Sequence, residues 1–272
     1  MQTFKTTPSE AVRSIWTHRS LLYALIKREV VGRYRGSIFG ILWSFLNPLL
    51  MLGVYSFVFG VVFRARWGSA EESRSDFVIA LFAGLVVFNL FSECINRAPA
   101  LITGNVNYVK RVVFPLEILP CVTLGSALFH TLVSLVVWLL CYVILKGTPH
   151  AYVMFAPLAL APLLMLTLGL SWLISSLGVF IRDISQVISL VVSVLLFLSP
   201  VFYPISALPT LAQEIMRWNP IALSLEQVRG VLLYGQLPDA TIYLSYLVGA
   251  SIWAWVCFMW FQRSRRAFAD VL

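Results

Sequence analysis

The chain has 272 residues, of which 60% are hydrophobic and 12% charged, about half the charged share of a soluble protein. Its mean hydropathy is +0.86. A soluble domain of this length has too little interior to hide that much apolar surface. These numbers exclude a cytosolic enzyme, a disordered chain and a secreted disulfide scaffold, and make a bilayer the expected solvent.

Lys and Arg number 20 and Asp and Glu 12, a net charge of +8. On a soluble chain that excess would suggest nucleic acid. Here no nucleic acid partner is expected, and the excess should instead collect on one face of the membrane.

The first 35 residues hold seven basic side chains and no apolar core of signal-peptide length, so the N-terminus is expected to stay in the cytoplasm. Within 9–35, apolar residues such as Val12, Ile15, Trp16, Leu22 and Ile26 recur at helical spacing among Arg and Lys. An amphipathic interfacial helix and a basic arm that holds the topology both fit.

Charge-free stretches then follow at 36–63, 77–92, 118–145, 147–181, 184–213 and 240–262. A helix needs about 20 apolar residues to cross a bilayer. The expected fold is therefore an all-α polytopic membrane protein, one transmembrane domain over 1–272. Its six transmembrane helices lie near 38–62, 77–97, 118–144, 153–179, 184–202 and 240–261. With both termini cytoplasmic, the inner segments carry all of the +8 and the outer segments sum to zero, as the positive-inside rule requires.

The long inner loop 98–114 is a candidate docking surface. The last external segment, 203–237, is too apolar for an ordinary loop, and Pro200, Pro204, Pro209 and Pro220 cut this stretch below crossing length. Short re-entrant helices in the outer leaflet are expected there, with protein or water around them.

No P-loop, HExxH, GxSxG or dinucleotide fingerprint occurs, so this is read as a transport subunit, not an enzyme, and any driving energy comes from outside the chain. The cysteines Cys94, Cys121, Cys141 and Cys257 are dispersed and read as free thiols, with no metal site. Glu93 and Arg97, at i and i+4, read as a structural pair rather than a coupling site. His130 reads as a satisfied interior histidine. Arg182-Asp183 marks the tight inner turn between spans four and five, an anchor for topology or a brace for the inner gate alongside Glu93 and Arg97.

Aromatic residues reach 14%. Trp16, Trp67, Trp218 and Trp253 suit an interfacial belt. Trp43, Tyr55 and Phe59 of span one, and Phe197, Phe202 and Tyr203 at the end of span five, suit stacking on the apolar faces of sugar rings; packing or lipid-facing aromatics are the plainer reading. Gly32, Gly36, Gly40 and Ser44 form either a small-residue ridge or a hinge.

Several stretches, in order, resemble one family. Lys27-Arg28-Glu29, Arg33-Tyr34-Arg35-Gly36-Ser37 and Leu42-Trp43-Ser44-Phe45-Leu46-Asn47-Pro48 resemble the approach to span one in the membrane subunits of ABC-2 type polysaccharide exporters. Phe180-Ile181-Arg182-Asp183-Ile184 resembles that family's inner turn. Ser199-Pro200-Val201-Phe202-Tyr203-Pro204, and Asn219-Pro220 followed by Glu226 and Arg229, resemble its outer re-entrant region. Arg265-Arg266-Ala267-Phe268-Ala269-Asp270-Val271 is similar to its tail.

The resemblance implies a multi-pass inner-membrane protein of a bacterium. It would work as two copies of itself with two ATP-binding cassette subunits, which would use ATP and Mg while this chain holds no cofactor. The implied substrate is a lipid-linked polysaccharide of O-antigen, capsule or teichoic-acid type. Arg33 and Arg35 would meet the lipid pyrophosphate. Tyr108, Lys110 and Arg111 would couple to the ATPase, and the aromatics of spans one and five would line the channel. A drug or small-lipid exporter of the same family, an ion-coupled secondary transporter, and a membrane enzyme of glycan synthesis are the alternatives.

Overall fold

A computed structural model describes residues 6–62, 67, 74–110 and 114–272; all of its regular elements are helices, with no strand among the described residues. Two helices precede the first span. Helix α1 (Pro8–Thr17) opens with Pro at its first position and Glu10 in its first turn, both suited to a helix N-terminus. After a break at His18 comes α2 (Arg19–Tyr34). Gly36 (φ +85°) and Gly40 (φ +50°) then turn the chain, a conformation that suits glycine, while Gly32 lies inside α2. The small residues before span one therefore mark a turn between α2 and span one rather than a continuous helical ridge.

Beyond it, a short 3₁₀ turn leads into α3 (Trp43–Tyr55), which widens into a π-helix at Ser56–Val62. Next come α4 (Arg74–Arg97), the single-turn α5 (Ala100–Thr103) and α6 (Val106–Val109), then α7 (Ile118–Lys146) and α8 (Ala156–Phe180). Positive-φ Gly147 ends α7. After α9 (Ile184–Leu198), the chain forms α10 (Thr210–Arg217), α11 (Pro220–Leu233), α12 (Ala240–Ser264) and the final turn α13 (Phe268–Val271). Asn219 and Asp239 cap α11 and α12, each accepting two backbone N–H bonds, as N-cap side chains do.

Five helical stretches are long and apolar enough to cross a membrane: Gly40–Phe59, Ser75–Arg97, Ile118–Lys146, Ala151–Phe180 and Ala240–Val271. The sequence predicts a sixth at 184–202, but α9 stops at Leu198 after 15 residues, a rise of about 22 Å against a hydrocarbon core of about 30 Å. Ser199 is extended because it precedes Pro200, and a residue before proline avoids the helical region.

Helix α4 is the centre of the bundle, most of its apolar stretch covered by the rest of the chain. It packs on α7, α8, α9 and α11. The stretch 40–59 is the opposite case, with only 11% of its apolar window buried. Trp67, expected in an interfacial belt, lies 4% exposed in the main core.

Helix α8 lies closest to α12, where a Cβ on Gly169 would sit 2.8 Å from the Ala254 Cα. Small residues let helices approach this closely and gain packing contacts in lipid. At its inner end α8 meets the chain before α5, and a Cβ on Gly178 would overlap the Pro99 carbonyl, 2.9 Å from its carbon. Backbone cannot swing aside as a side-chain tip can. Gly178→Ala is therefore expected to destabilise the protein by about 1–3 kcal/mol, seen as a lower Tm in nanodiscs. A parental Tm would contradict this packing.

Candidate functional site

Four charged side chains join α2 to α4. Arg33 donates to Glu93 at 2.5 Å, Arg97 reaches Glu29 at 2.6 Å, and Arg97 and Glu93 stand 3.6 Å apart. The expected pair Glu93–Arg97 is thus the weak middle link of a chain running Arg33–Glu93–Arg97–Glu29. Its logic is geometric: each helix carries Glu four residues before Arg, and where the two meet they run in opposite directions, so each acid faces the other helix's base. Arg33, expected to meet substrate phosphate, is engaged by Glu93. Arg35 is exposed beside the Gly36 turn.

Above these charges lies a cavity of about 510 Å³, walled by α3, α4, α7 and the end of α2. Tyr34 Oη lies 3.3 Å from His130 Nδ1, and the two rings meet edge to face. Burial raises the Tyr34 pKa, so the phenol keeps its proton. His130 Nε2 is buried without a hydrogen-bond partner among the described residues, so the histidine is only half satisfied there, contrary to expectation.

The aromatic residues of the two predicted spans converge. Phe59 and Phe202 stack with centroids 5.4 Å apart, and Phe197 stacks on Phe202 at 5.7 Å. Tyr55 lies within 6.3 Å of Phe59 and 6.4 Å of Phe202. Tyr203 donates to the Phe197 carbonyl, which fixes the turn after α9. Trp43 stands apart, edge to face with Phe39. Phe77, which the sequence did not single out, extends the stack from α4. Phe197 remains two-thirds exposed, so the cluster presents a ring to the outside of the chain.

A buried arginine supports this end. Arg229 on α11 is 1% exposed and donates to the carbonyls of Ala80, Pro200 and Val201 at 3.2, 2.6 and 2.8 Å. Its guanidinium covers the Trp67 ring at 4.3 Å. Burial pulls its pKa down to about 10, with Glu226 opposing the shift, so it is a cation at neutral pH. The resemblance included Arg229 but assigned it no role; a basic residue within the apolar run Val228–Leu233 of the outer segment is its sequence signal.

At the other end, Tyr108 of α6 stacks on Phe114 at 4.2 Å and accepts from Arg28 of α2. Lys110 is exposed and Arg111 lies outside the described residues. Arg182 and Asp183 are exposed at the α8–α9 turn and form no ion pair among the described residues. A second network was missed by sequence reasoning. Glu117 accepts from Ser14 at 2.8 Å and from Arg265 at 2.7 Å, and Arg265 also donates to the Phe114 carbonyl. Glu117 flanks a charge-free run and Arg265 lies in the basic cluster that follows another, but nothing there pairs them.

The sequence pattern of ABC-2 type transporters matches residues 20–233. The chain belongs to the ABC-2 type transporter family. Among similar family members are two proteins called O-antigen export system permease protein RfbA. The one from Myxococcus xanthus is 27% identical over 261 residues, 95% of this chain and 98% of that protein. The one from Klebsiella pneumoniae is 26% identical over 253 residues, 93% and 95% of the two chains. The polysialic acid transport protein KpsM of Escherichia coli is 26% identical over 231 residues, 82% and 85%. The family read from the approach to span one is confirmed, and the matched region takes in the four-charge chain, the cavity, the aromatic stack and Arg229.

Proposed function

We propose that this chain is the permease subunit of an ATP-driven exporter that moves a lipid-linked polysaccharide across a bacterial cytoplasmic membrane, in which it is a multi-pass protein. The carrying observation is the end-to-end similarity to an O-antigen export permease. The aromatic stack supports it chemically: ring faces grip sugars through apolar contact and release them readily. An ion-coupled transporter is disfavoured because Glu93 is committed to Arg33 and Arg97.

In this reading two copies pair through the uncovered faces of 40–59 and α9, whose apolar side chains need lipid or protein over them. Six crossings leave both termini in the cytoplasm, the sixth made by α9 together with the chain after Pro200. Helices α10 and α11, 8 and 14 residues long, dip into the outer leaflet without crossing. Helices α1 and α2 lie on the inner surface, where Arg35 meets the lipid pyrophosphate; Arg33, half exposed, joins it there by leaving Glu93 and turning out of the cavity.

Two ATP-binding subunits, using ATP and Mg, dock below the α5–α6 segment. Lys110 faces them, with Arg182 and Asp183 at the neighbouring turn; Arg111 shares this role by its sequence position alone. Tyr108, clamped between Arg28 and Phe114, passes their motion to α2. Many weak, similar contacts then suit a polymer that advances by small steps, since a deep well would stall it.

Deleting the gene in its own bacterium tests this. Lipid-linked polysaccharide should accumulate at the inner face while the surface loses it. Normal surface polysaccharide after deletion contradicts the proposal.

A further inference from the structure

The cavity between α3, α4 and α7 has a composition that selects its ligand. Its floor carries Arg33 and Arg97, but each is already engaged by a carboxylate, and the four charges cancel. An anion would have to displace Glu93 or Glu29. Above the floor the amides of Asn47 and Asn89 line the space and have no hydrogen-bond partner among the described residues. His130 Nε2 adds a buried polar atom without a partner among the described residues. Because Tyr34 can donate to Nδ1 or accept from it, Nε2 is a donor in one tautomer and an acceptor in the other. Amides and imidazole together suit a group that both donates and accepts, which is a hydroxyl.

The outer wall supplies the rest. Tyr55 lines the cavity and also belongs to the Phe59–Phe202–Phe197 stack. One ring edge therefore joins a hydrogen-bonding chamber to an aromatic track. The volume, about 510 Å³, falls in the range of small-molecule sites. Polar side chains at membrane depth face a cavity or protein rather than lipid.

From the unpartnered amides of Asn47 and Asn89, the orphaned His130 Nε2 and the adjoining Tyr55 ring, we infer that this cavity is a binding station for one or two neutral sugar units, held within a single copy of the chain. The inference rests on the export reading for the source of the sugar, and it adds that each protomer holds glycan before the aromatic track takes it.

The test uses the full chain in nanodiscs and saturation-transfer NMR with methyl glycosides of glucose, galactose, mannose and N-acetylglucosamine. At least one glycoside should receive saturation on its ring protons. Asn89→Leu, which keeps the volume and removes the amide, should weaken binding roughly tenfold, one hydrogen-bonding contact's worth. Ser134→Leu, which fills the cavity from α7, should do the same, and Leu244→Ala on the exposed face of α12 should not. Parental Tm in the variants shows that they fold. Pyrophosphate should not compete.

Saturation of no glycoside, equal saturation in Asn89→Leu and the parent, or displacement by pyrophosphate would each overturn the station. The last would make the cavity an anion site. The export reading fails separately, if surface polysaccharide survives gene deletion while the Asn89-dependent binding persists.

Discussion

Replacing Arg229 by alanine is expected to cost about 3–5 kcal/mol, the penalty for removing one partner of a buried charged network. Two things are lost at once. The carbonyls of Pro200 and Val201, at the turn that ends α9, lose their donors, and each buried acceptor left bare costs about 1–3 kcal/mol. Trp67 also loses the cation over its ring. Arg229→Lys should not rescue the protein. An ammonium keeps the charge but cannot aim donors at three carbonyls from one plane. Gly84→Ala should resemble it, because a Cβ there falls against the guanidinium, 3.2 Å from its Cζ. The readout is the Tm and monodisperse yield of nanodisc-embedded protein. A lysine variant with parental Tm would show that the guanidinium fork is not what holds α4, α9 and α11 together.

Glu117→Gln should produce the second large loss, about 3 kcal/mol. Glu117 and Arg265 are both mostly buried, so the neutral amide leaves an uncompensated cation against the Phe114 carbonyl. Ser14 loses its charged acceptor in the same step, and α1 and the C-terminal tail should come loose together. Limited trypsin digestion at Arg13 and Arg19 should then run faster than in the parent. Pairing the change with Arg265→Met should restore much of the stability, because no charge is then stranded; the coupling in the double-mutant cycle should reach about 2 kcal/mol. Additive single effects would mean that the two side chains do not depend on each other.

The helices were legible because bilayer thickness writes itself into the sequence as charge-free runs. Five predicted spans match long apolar helices; the remaining one, 184–202, reads longer than its helix because apolar composition continues past Ser199 while the helix ends before Pro200. The aromatic cluster was half legible. Tyr55, Phe59, Phe197 and Phe202 suit sugar stacking by residue type and do meet, but Phe77 lies in a span whose sequence shows only apolar character. Ion pairs were legible only within one helix. Glu93 and Arg97 were found by their spacing, whereas their closer partners Arg33 and Glu29 sit 60 and 68 residues away. Arg229 shows the same limit: its three carbonyl partners are backbone groups, which no side-chain pattern announces.

The central claim is that the chain supplies a passage and another polypeptide supplies the energy. Reconstitution in sealed vesicles tests it most directly, with lipid-linked glycan on the outer face and ATP present, in the presence and absence of the cognate ATP-binding subunit. Glycan should become protected inside only when both chains and ATP are present, with no ATP hydrolysis by this chain alone. Protection of glycan, or hydrolysis of ATP, by the chain without a companion would contradict the account.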